Sequence, residues 1–96
     1  MQVYITPRAA RDMDNIADWT LENWGRAQME SYLRRLYLRM DTLKHNPKIG
    51  RERPDISKEL RCLTEQSHLI FYVVNPAGVS IIAVLHQSMD VTGQLE

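Results

Sequence analysis

The second half of the chain contains two nearly continuous apolar runs, LIFYVV at residues 69–74 and VSIIAVL at residues 79–85. Runs of this kind are typical of β-strands that are covered on both faces or heavily on one face. Between them lies Asn75-Pro76-Ala77-Gly78, a four-residue sequence that favours a hairpin loop. The rest of the chain therefore has to bury the faces of these two strands.

Two amphipathic helices precede the apolar runs. Thr6-Pro7 predicts an N-cap followed by proline at the first helical position, and apolar residues then recur at three- and four-residue spacing over about 7–23. Gly25 suits a helix C-terminus. A second apolar stripe continues to about residue 45, where Asn46-Pro47 stops it. The connection of two to three residues around Gly25 predicts an antiparallel helical hairpin.

Short strands complete the predicted fold. They are expected at residues 2–5, 60–64, 68–74 and 79–85. A polar loop over 46–58 separates the helices from the last three strands, and Met89, Val91 and Leu95 predict a final turn that packs back. The order β-α-α-β-β-β predicts one α+β domain over residues 1–96, with an antiparallel helical hairpin packed on a small, mainly antiparallel sheet.

The composition excludes several classes of protein. Cys62 is the only cysteine, so no internal disulfide can form, and three scattered histidines do not make a metal cluster. No apolar run approaches the roughly 20 residues that cross a bilayer, and the N-terminal segment lacks the pattern of a signal peptide. We therefore expect a cytoplasmic domain without metal or cofactor, rather than a secreted scaffold, a membrane protein or a zinc finger.

The net charge of zero conceals an uneven distribution. Residues 26–53 hold eight Lys or Arg against three acidic residues, for a net of +5, whereas residues 1–25 carry −2 and residues 54–96 carry −3. A basic middle can face an acidic partner, either nucleic acid or a protein segment, and it can equally be a solvated helix face. Proteins that depend on phosphate contacts are more usually basic overall, which argues against an autonomous nucleic-acid binder.

His68 and His86 are the main candidates for chemistry. One opens a strand and the other ends the next, so the hairpin is predicted to bring the two imidazoles together, with Arg61 in reach from the preceding strand. Two histidines and an arginine could supply the base, the acid and the cation that RNA cleavage needs. The alternative is that both histidines are polar residues at the ends of buried strands and have no role in chemistry. Cys62 is interpreted as a small buried strand residue.

The helices carry four large aromatic residues. Trp24, Tyr32 and Tyr37 follow the helical spacing of core positions, whereas Trp19 falls off the apolar stripe. An exposed tryptophan on a helix is a plausible anchor for a binding partner. Trp19 is therefore predicted to be exposed and available to a partner.

Short motifs occur in order along nearly the whole chain. They are Ile5-Thr6-Pro7-x-Ala9-x-x-Asp12 with Ile16, Asn23-Trp24-Gly25-x-Ala27-Gln28, Asn46-Pro47-x-x-Gly50-Arg51, Leu60-Arg61, Ser67-His68-x-Ile70-x-Tyr72 and Leu85-His86-Gln87-Ser88-Met89-Asp90. Together they resemble the ParE branch of the RelE/ParE toxin superfamily, which supplies the toxin half of type II toxin–antitoxin pairs.

The resemblance implies one of two known activities. ParE-type toxins inhibit DNA gyrase by trapping the gyrase–DNA cleavage complex, whereas RelE-type toxins are ribosome-dependent mRNA nucleases. The nucleases carry basic or tyrosine side chains after the last strand, where this chain has Asp90, and a net charge of zero fits poorly with docking on ribosomal RNA. We therefore expect a gyrase inhibitor that is not itself an enzyme. The nuclease is the alternative, and a third is a toxin-fold protein that has lost toxicity and only binds its antitoxin.

The resemblance also implies a toxic surface and an antitoxin surface. The toxic surface is expected at the sheet edge and tail, formed by Arg61, His68, His86, Gln87, Met89 and Asp90, with Arg51 and Arg53 as secondary candidates. A ParD-like antitoxin is expected to have a DNA-binding N-terminal dimer and a disordered acidic arm that wraps the toxin. Its expected contacts are Trp19, Tyr32, Arg34, Arg35, Leu36 and Arg39. A homodimer or a two-to-two complex with the antitoxin is expected, without membrane or sequence-specific nucleic-acid contact.

Overall fold

The structure, a computed structural model, describes residues 1–95. Along the chain its elements are β1 (Val3–Ile5), α1 (Pro7–Trp24), α2 (Arg26–Asp41) followed by a 3-10 turn (Thr42–Lys44), β2 (Arg51–Glu52), β3 (Arg61–Glu65), β4 (His68–Asn75), β5 (Gly78–His86) and α3 (Val91–Leu95). The strands form one sheet in the order β1-β5-β4-β3-β2, in which β1 and β5 are parallel and the other neighbours are antiparallel. The predicted α+β fold and its mainly antiparallel sheet are confirmed.

The helical hairpin forms as its caps predict. The Thr6 hydroxyl accepts a hydrogen bond from the Ala9 amide at 3.2 Å, and Pro7 occupies the first helical position. Gly25 has φ of +87°, in the left-handed region that glycine tolerates, and it alone connects the two helices. The connection is thus shorter than the two to three residues expected. Within residues 1–95, the helices are too short or too polar to traverse a lipid bilayer.

Two side chains of the first motif attach α1 to β5. The Thr6 hydroxyl donates to the Ile81 carbonyl at 2.7 Å, at the point where β1 ends. Further along β5, the Asp12 carboxylate accepts from the Val84 amide at 2.9 Å and pairs with Arg8 at 3.2 Å. A buried amide without an acceptor is costly, so Asp12 satisfies the part of the β5 edge that β1 does not reach.

The central strands are buried on both faces, as the density of apolar residues predicts. Ile70, Tyr72 and Ile81 pack against the helical hairpin, which contributes Leu36 and Met40 among others. On the opposite face, the buried residues are covered by the loop before β3 and by α3. The covered residues are Leu60, Cys62, Phe71, Ala83 and Leu85, and the covering ones include Ile56, Val91 and Leu95. The predicted burial of Cys62 and the packing of Val91 and Leu95 are confirmed.

The hairpin turn, the loop before β3 and Tyr37 also differ from the expectations. Asn75 and Gly78 are paired strand residues, so the hairpin turn is Pro76-Ala77 and not four residues long. The Asn75 side chain accepts from the amides of Ala77 and Gly78 at 3.0 and 3.2 Å, which stabilises this tighter turn. Strand β2 lies inside the predicted loop, because its two residues pair with β3. Tyr37 is 48% exposed and does not belong to the core.

Candidate functional site

A groove lies where the Gly25 end of the helical hairpin meets one end of the sheet. Its sides are formed by the C-terminal half of α1 and the N-terminal half of α2, and its base by the β3–β4 turn and the end of β5. Its volume is about 760 Å³. The residues around it are Asp12, Asn15, Ile16, Trp19, Thr20, Trp24, Gln28, Tyr32, Gln66, Ser67, His68, Val84, Leu85, His86, Ser88 and Met89.

Large exposed side chains flank the groove. Trp19 is 59% exposed and Trp24 is 66% exposed, and Met89, which also lines the groove, is 42% exposed. The predicted exposure of Trp19 is confirmed, but the assignment of Trp24 to the core is wrong. Trp24 is the last residue of α1, one turn beyond buried Thr20. Trp24 continues the helical spacing of the core residues of α1, but at the end of the helix it borders an open groove.

His68 and His86 meet at the base of the groove. They are directly opposite each other in the β4–β5 ladder, with ring centroids 5.2 Å apart and ring planes nearly perpendicular. The predicted contact between the two imidazoles is confirmed. Tyr32 of α2 packs on His68 from the other side and its hydroxyl is 2.5 Å from His68 Nδ1. The Ser88 amide donates to His86 Nδ1 at 3.1 Å, so the proton of neutral His86 lies on Nε2.

His68 is uncharged at neutral pH. Burial, together with the neighbouring imidazole of His86, lowers the pKa of His68 to about 4. A general acid works best with a pKa near the working pH, so His68 is poorly suited to donate a proton to a leaving oxygen. Its neutral imidazole packs between Tyr32 and His86 as part of the base of the groove.

This pKa predicts a loss of stability in mild acid. An unfolded histidine takes up a proton near pH 6.5, whereas folded His68 does so only near pH 4. The unfolded chain therefore binds more protons between these values, so the free energy of unfolding falls as the pH is lowered through this window. His68→Gln should flatten the dependence of the melting temperature on pH in this range. Tyr32→Phe should retain it, because burial and His86 cause the shift. Equal pH dependence in the wild-type chain and His68→Gln would contradict this explanation.

Arg61 does not lie in the groove, so the expectation that it reaches the histidines is wrong. It is opposite Tyr72 on β4, whereas His68 is opposite Glu65 at the other end of β3. Its guanidinium donates to the carbonyls of Lys48 and Gly50 at 3.1 and 2.8 Å. It also pairs with the Glu52 carboxylate at 3.3 Å, and so holds the loop before β3 in place.

The other loop arginines also lie away from the histidines. Arg53 forms two hydrogen bonds with the Asp55 carboxylate, at 3.1 and 3.0 Å, and lies over the Phe71 ring at 5.8 Å. The Arg53 contact lowers the pKa of the Asp55 carboxyl. Arg51 is exposed on β2 and faces Cys62 in the β2–β3 ladder. The expected toxic surface is therefore divided, with Arg51, Arg53 and Arg61 apart from the groove.

The tail residues of the expected surface adjoin the groove. Met89 lines it, and Gln87 follows directly from β5, with its amide donating to the Ser67 carbonyl at 2.9 Å. Asp90 is exposed and directly precedes α3, and its carboxylate accepts from the Gly93 amide at 3.3 Å. Within residues 1–95, no three His, Cys, Asp or Glu side chains are arranged to hold a metal.

The expected antitoxin contacts fall into three groups, namely groove residues, one core residue and the arginines of α2. Trp19 and the partly buried Tyr32 line the groove. Leu36 is fully buried in the core, so its assignment to a contact surface is wrong. Residues that anchor a partner and residues of the core share the same helical spacing, so the sequence alone does not distinguish the two kinds of residue.

The three arginines of α2 that were expected to bind the antitoxin lie on two different sides of the helix. Arg35 donates to the Gln66 side chain at 3.3 Å, and Arg39 pairs with the Glu65 carboxylate at 3.7 Å, so both border the β3–β4 turn. Arg34 instead borders a shallow groove beside β1. The sequence missed Gln28, Gln66 and Ser88 as groove residues, because polar residues at turns and helix ends carry no periodic signal.

Comparisons with known proteins agree with this architecture. Residues 3–91 match the family model described as the ParE toxin of the type II toxin–antitoxin system parDE. The chain is 39% identical over 92 residues to Toxin ParE1 of Mycobacterium tuberculosis, covering 95% of this chain and 94% of that protein. It is 32% identical over 91 residues to Toxin ParE1 of Caulobacter vibrioides, with the same coverage.

A solved structure shares the fold. It is described as the chromosomal ParDE toxin–antitoxin system from P. aeruginosa and superposes with a TM-score of 0.79 at 20% identity, covering 90% of this chain and 95% of that one. The likeness in fold agrees with the family match, which spans nearly the whole sequence. The chain belongs to the ParE toxin family of type II toxin–antitoxin systems.

Proposed function

We propose that this chain inhibits DNA gyrase by trapping the gyrase–DNA cleavage complex, and that a ParD-like antitoxin neutralises it. Membership of the ParE family supports this proposal, as do the ParE1 names of the curated relatives and the ParDE title of the structural relative. On this account the chain acts by binding an enzyme and performs no covalent chemistry of its own.

The observation that carries the proposal is the chemistry of the groove. It has two histidines at its base, yet no Lys or Arg is among the residues around it in the part of the chain described. Cleavage of RNA needs a cation or other donors to stabilise the charge of the phosphorane. The exposed Trp19, Trp24 and Met89 instead offer the aromatic and thioether surface that protein interfaces favour.

The alternative function is ribosome-dependent mRNA cleavage. The packing of Tyr32, His68 and His86 against one another favours it, because these groups can transfer protons. The low pKa of His68 and the distant position of Arg61 disfavour it.

Expression of the chain without antitoxin separates these functions in cells. Gyrase poisoning should produce filamentous cells and a DNA-damage response while protein synthesis continues. An immediate halt of protein synthesis without filaments would contradict the proposal and favour the nuclease. Normal growth with folded protein present would favour a toxin fold that only binds its antitoxin.

The positions of the arginines on α2 predict which of them bind the acidic antitoxin arm. Arg35 and Arg39 adjoin the β3–β4 turn that borders the groove, whereas Arg34 does not. Arg35→Glu with Arg39→Glu should weaken antitoxin binding about tenfold, since like charges would then face the arm. The control is Arg26→Glu with Arg34→Glu, an equal change of charge on the same helix, which should change affinity less than about threefold. Titration calorimetry with the antitoxin measures both, and equal losses would contradict the assignment.

A further inference from the structure

The turn between β3 and β4 contains a residue with an unfavourable backbone conformation. Glu65 and His68 pair with each other, so Gln66 and Ser67 alone form the turn. Gln66 has φ of +55°, and it is the one residue other than glycine with a positive φ in the described part of the chain. A two-residue turn in which only the first residue has a positive φ is of type II′, and that position normally holds glycine. Glutamine in this position therefore strains the turn.

Neither core packing nor the hydrogen bonds of the chain itself explain why this position holds a glutamine. Gln66 is exposed and is not a residue of the core. Among residues 1–95 its side chain forms one hydrogen bond, which it accepts from Arg35 at 3.3 Å at the surface, where water competes for it. Strained residues are concentrated where a protein holds a ligand. Because Gln66 also borders the groove, its side chain is placed to contact a partner there.

Arg35 and Gln66 together form a pair of hydrogen-bond donors beside the groove. A guanidinium can only donate, so the Gln66 amide oxygen faces Arg35 and the Gln66 NH2 group remains as a donor. The carboxylate of Glu65, the residue before Gln66, is paired with Arg39 at 3.7 Å. Arg35 has no carboxylate partner within residues 1–95, so its charge is uncompensated there. The pair therefore offers a cation and an amide NH2 side by side.

We infer that the Arg35–Gln66 pair binds a carboxylate of the antitoxin arm, and that Gln66 is a residue that determines which antitoxin binds. The inference rests on the proposed function, in which an acidic arm neutralises the chain. A carboxylate has two oxygens and can accept from the guanidinium and from the amide at once. Gln66 gives up no hydrogen bond in this contact, since it uses its NH2 group while its oxygen stays on Arg35.

Gln66 adds specificity that the charge of Arg35 does not provide. A surface cation attracts any acidic segment, whereas a fixed NH2 group favours a segment that has an oxygen at one position. The turn is held at its second residue, because the Gln87 amide donates to the Ser67 carbonyl at 2.9 Å and the Ser67 hydroxyl lies 3.3 Å from that of Tyr32. A donor on a turn that is already fixed loses little conformational entropy on binding.

Gln66→Gly separates a binding role from a structural role, because the two roles predict opposite changes in stability. Glycine relieves the strain of the type II′ turn, so the melting temperature of the free chain should rise by about 4 °C. The change also removes the NH2 group, so the dissociation constant of the antitoxin complex should rise about tenfold. Scanning calorimetry of the free chain and titration calorimetry with the antitoxin measure the two quantities.

Gln66→Glu keeps the shape of the side chain and changes its chemistry. The new carboxylate would itself pair with Arg35, so the fold should persist by circular dichroism, while the antitoxin carboxylate would be repelled. The dissociation constant should rise at least about thirtyfold. Gln2→Glu is the matched control, since it makes the same change at an exposed residue that does not border the groove, and it should alter the affinity less than about threefold.

A double-mutant cycle with Arg35→Ala tests whether the two side chains hold one group. If they do, the combined loss of affinity in Arg35→Ala with Gln66→Gly should be smaller than the product of the two single losses. Losses that multiply, a lower melting temperature in Gln66→Gly, or wild-type affinity in both Gln66 variants would each overturn the inference and leave the proposed function intact. An antitoxin that fails to bind the wild-type chain would overturn both.

Discussion

Replacing Trp19 and Trp24 together by alanine is expected to weaken binding of the antitoxin by at least about a hundredfold. Both indoles are exposed beside the groove, and tryptophan is among the side chains whose loss costs most at protein interfaces, commonly 2 kcal/mol or more each. Losses at neighbouring interface residues are not additive, so we expect a combined cost of about 3 kcal/mol, which corresponds to roughly a hundredfold change in affinity. Neither side chain is in the core, so the free toxin should keep its stability.

Leu21→Ala is the matched control for the tryptophan pair. Leu21 is exposed on α1 between the two tryptophans in sequence, but it does not border the groove. Its loss should change affinity less than about threefold, within the range of a neutral surface substitution. Equal effects of Leu21→Ala and the double variant would show that the antitoxin does not use the groove.

Gly78→Ala is expected to destabilise the fold by about 3 kcal/mol or more. Gly78 has φ of +146°, a conformation that residues with a side chain rarely adopt, and a Cβ atom there would overlap the Gln2 carbonyl. That carbonyl accepts the hydrogen bond from Val79 that begins the β1–β5 pairing. The added methyl group should therefore displace β1 as well as strain the turn.

Gly25→Ala separates backbone strain from this steric overlap. Gly25 has φ of +87°, but a Cβ atom there would have no atom within 4 Å. Its ψ of 172° places it in a region that is essentially restricted to glycine, so its replacement should cost about 2 kcal/mol, which is less than the cost at Gly78. Urea denaturation of both variants measures the difference. Similar losses of unfolding free energy in the two variants would show that the overlap with the Gln2 carbonyl causes no additional destabilisation.

The elements of the fold could be predicted because each leaves a local pattern in the sequence. Thr6-Pro7 and Gly25 mark the ends of helices by their own backbone chemistry, and the runs of β4 and β5 are apolar because both of their faces are covered. The contact between His68 and His86 also followed from local order, since the two ends of a hairpin meet at the same end of a sheet.

The site was harder to predict because its residues come together only through tertiary structure. The adjacency of its strand predicts that Arg61 lies with the histidines, but Arg61 is at the start of β3, whereas His68 pairs with Glu65 at the other end of that strand. Leu36 and Trp24 share the periodicity of core residues, and only the extent of the sheet decides that one is buried and the other exposed. Helical periodicity separates Arg34 from Arg35, but it does not reveal that Arg35 faces the β3–β4 turn and Arg34 the shallow groove beside β1.

Gyrase inhibition is tested most directly with purified gyrase, supercoiled plasmid and the antitoxin-free toxin. The proposed function predicts that linear DNA accumulates in the presence of ATP, that supercoiling is inhibited, and that added antitoxin suppresses both effects. A parallel reaction with topoisomerase IV identifies which type II enzyme is the target. Unimpaired supercoiling and no linear DNA, with toxin whose fold is verified by circular dichroism, would contradict gyrase inhibition.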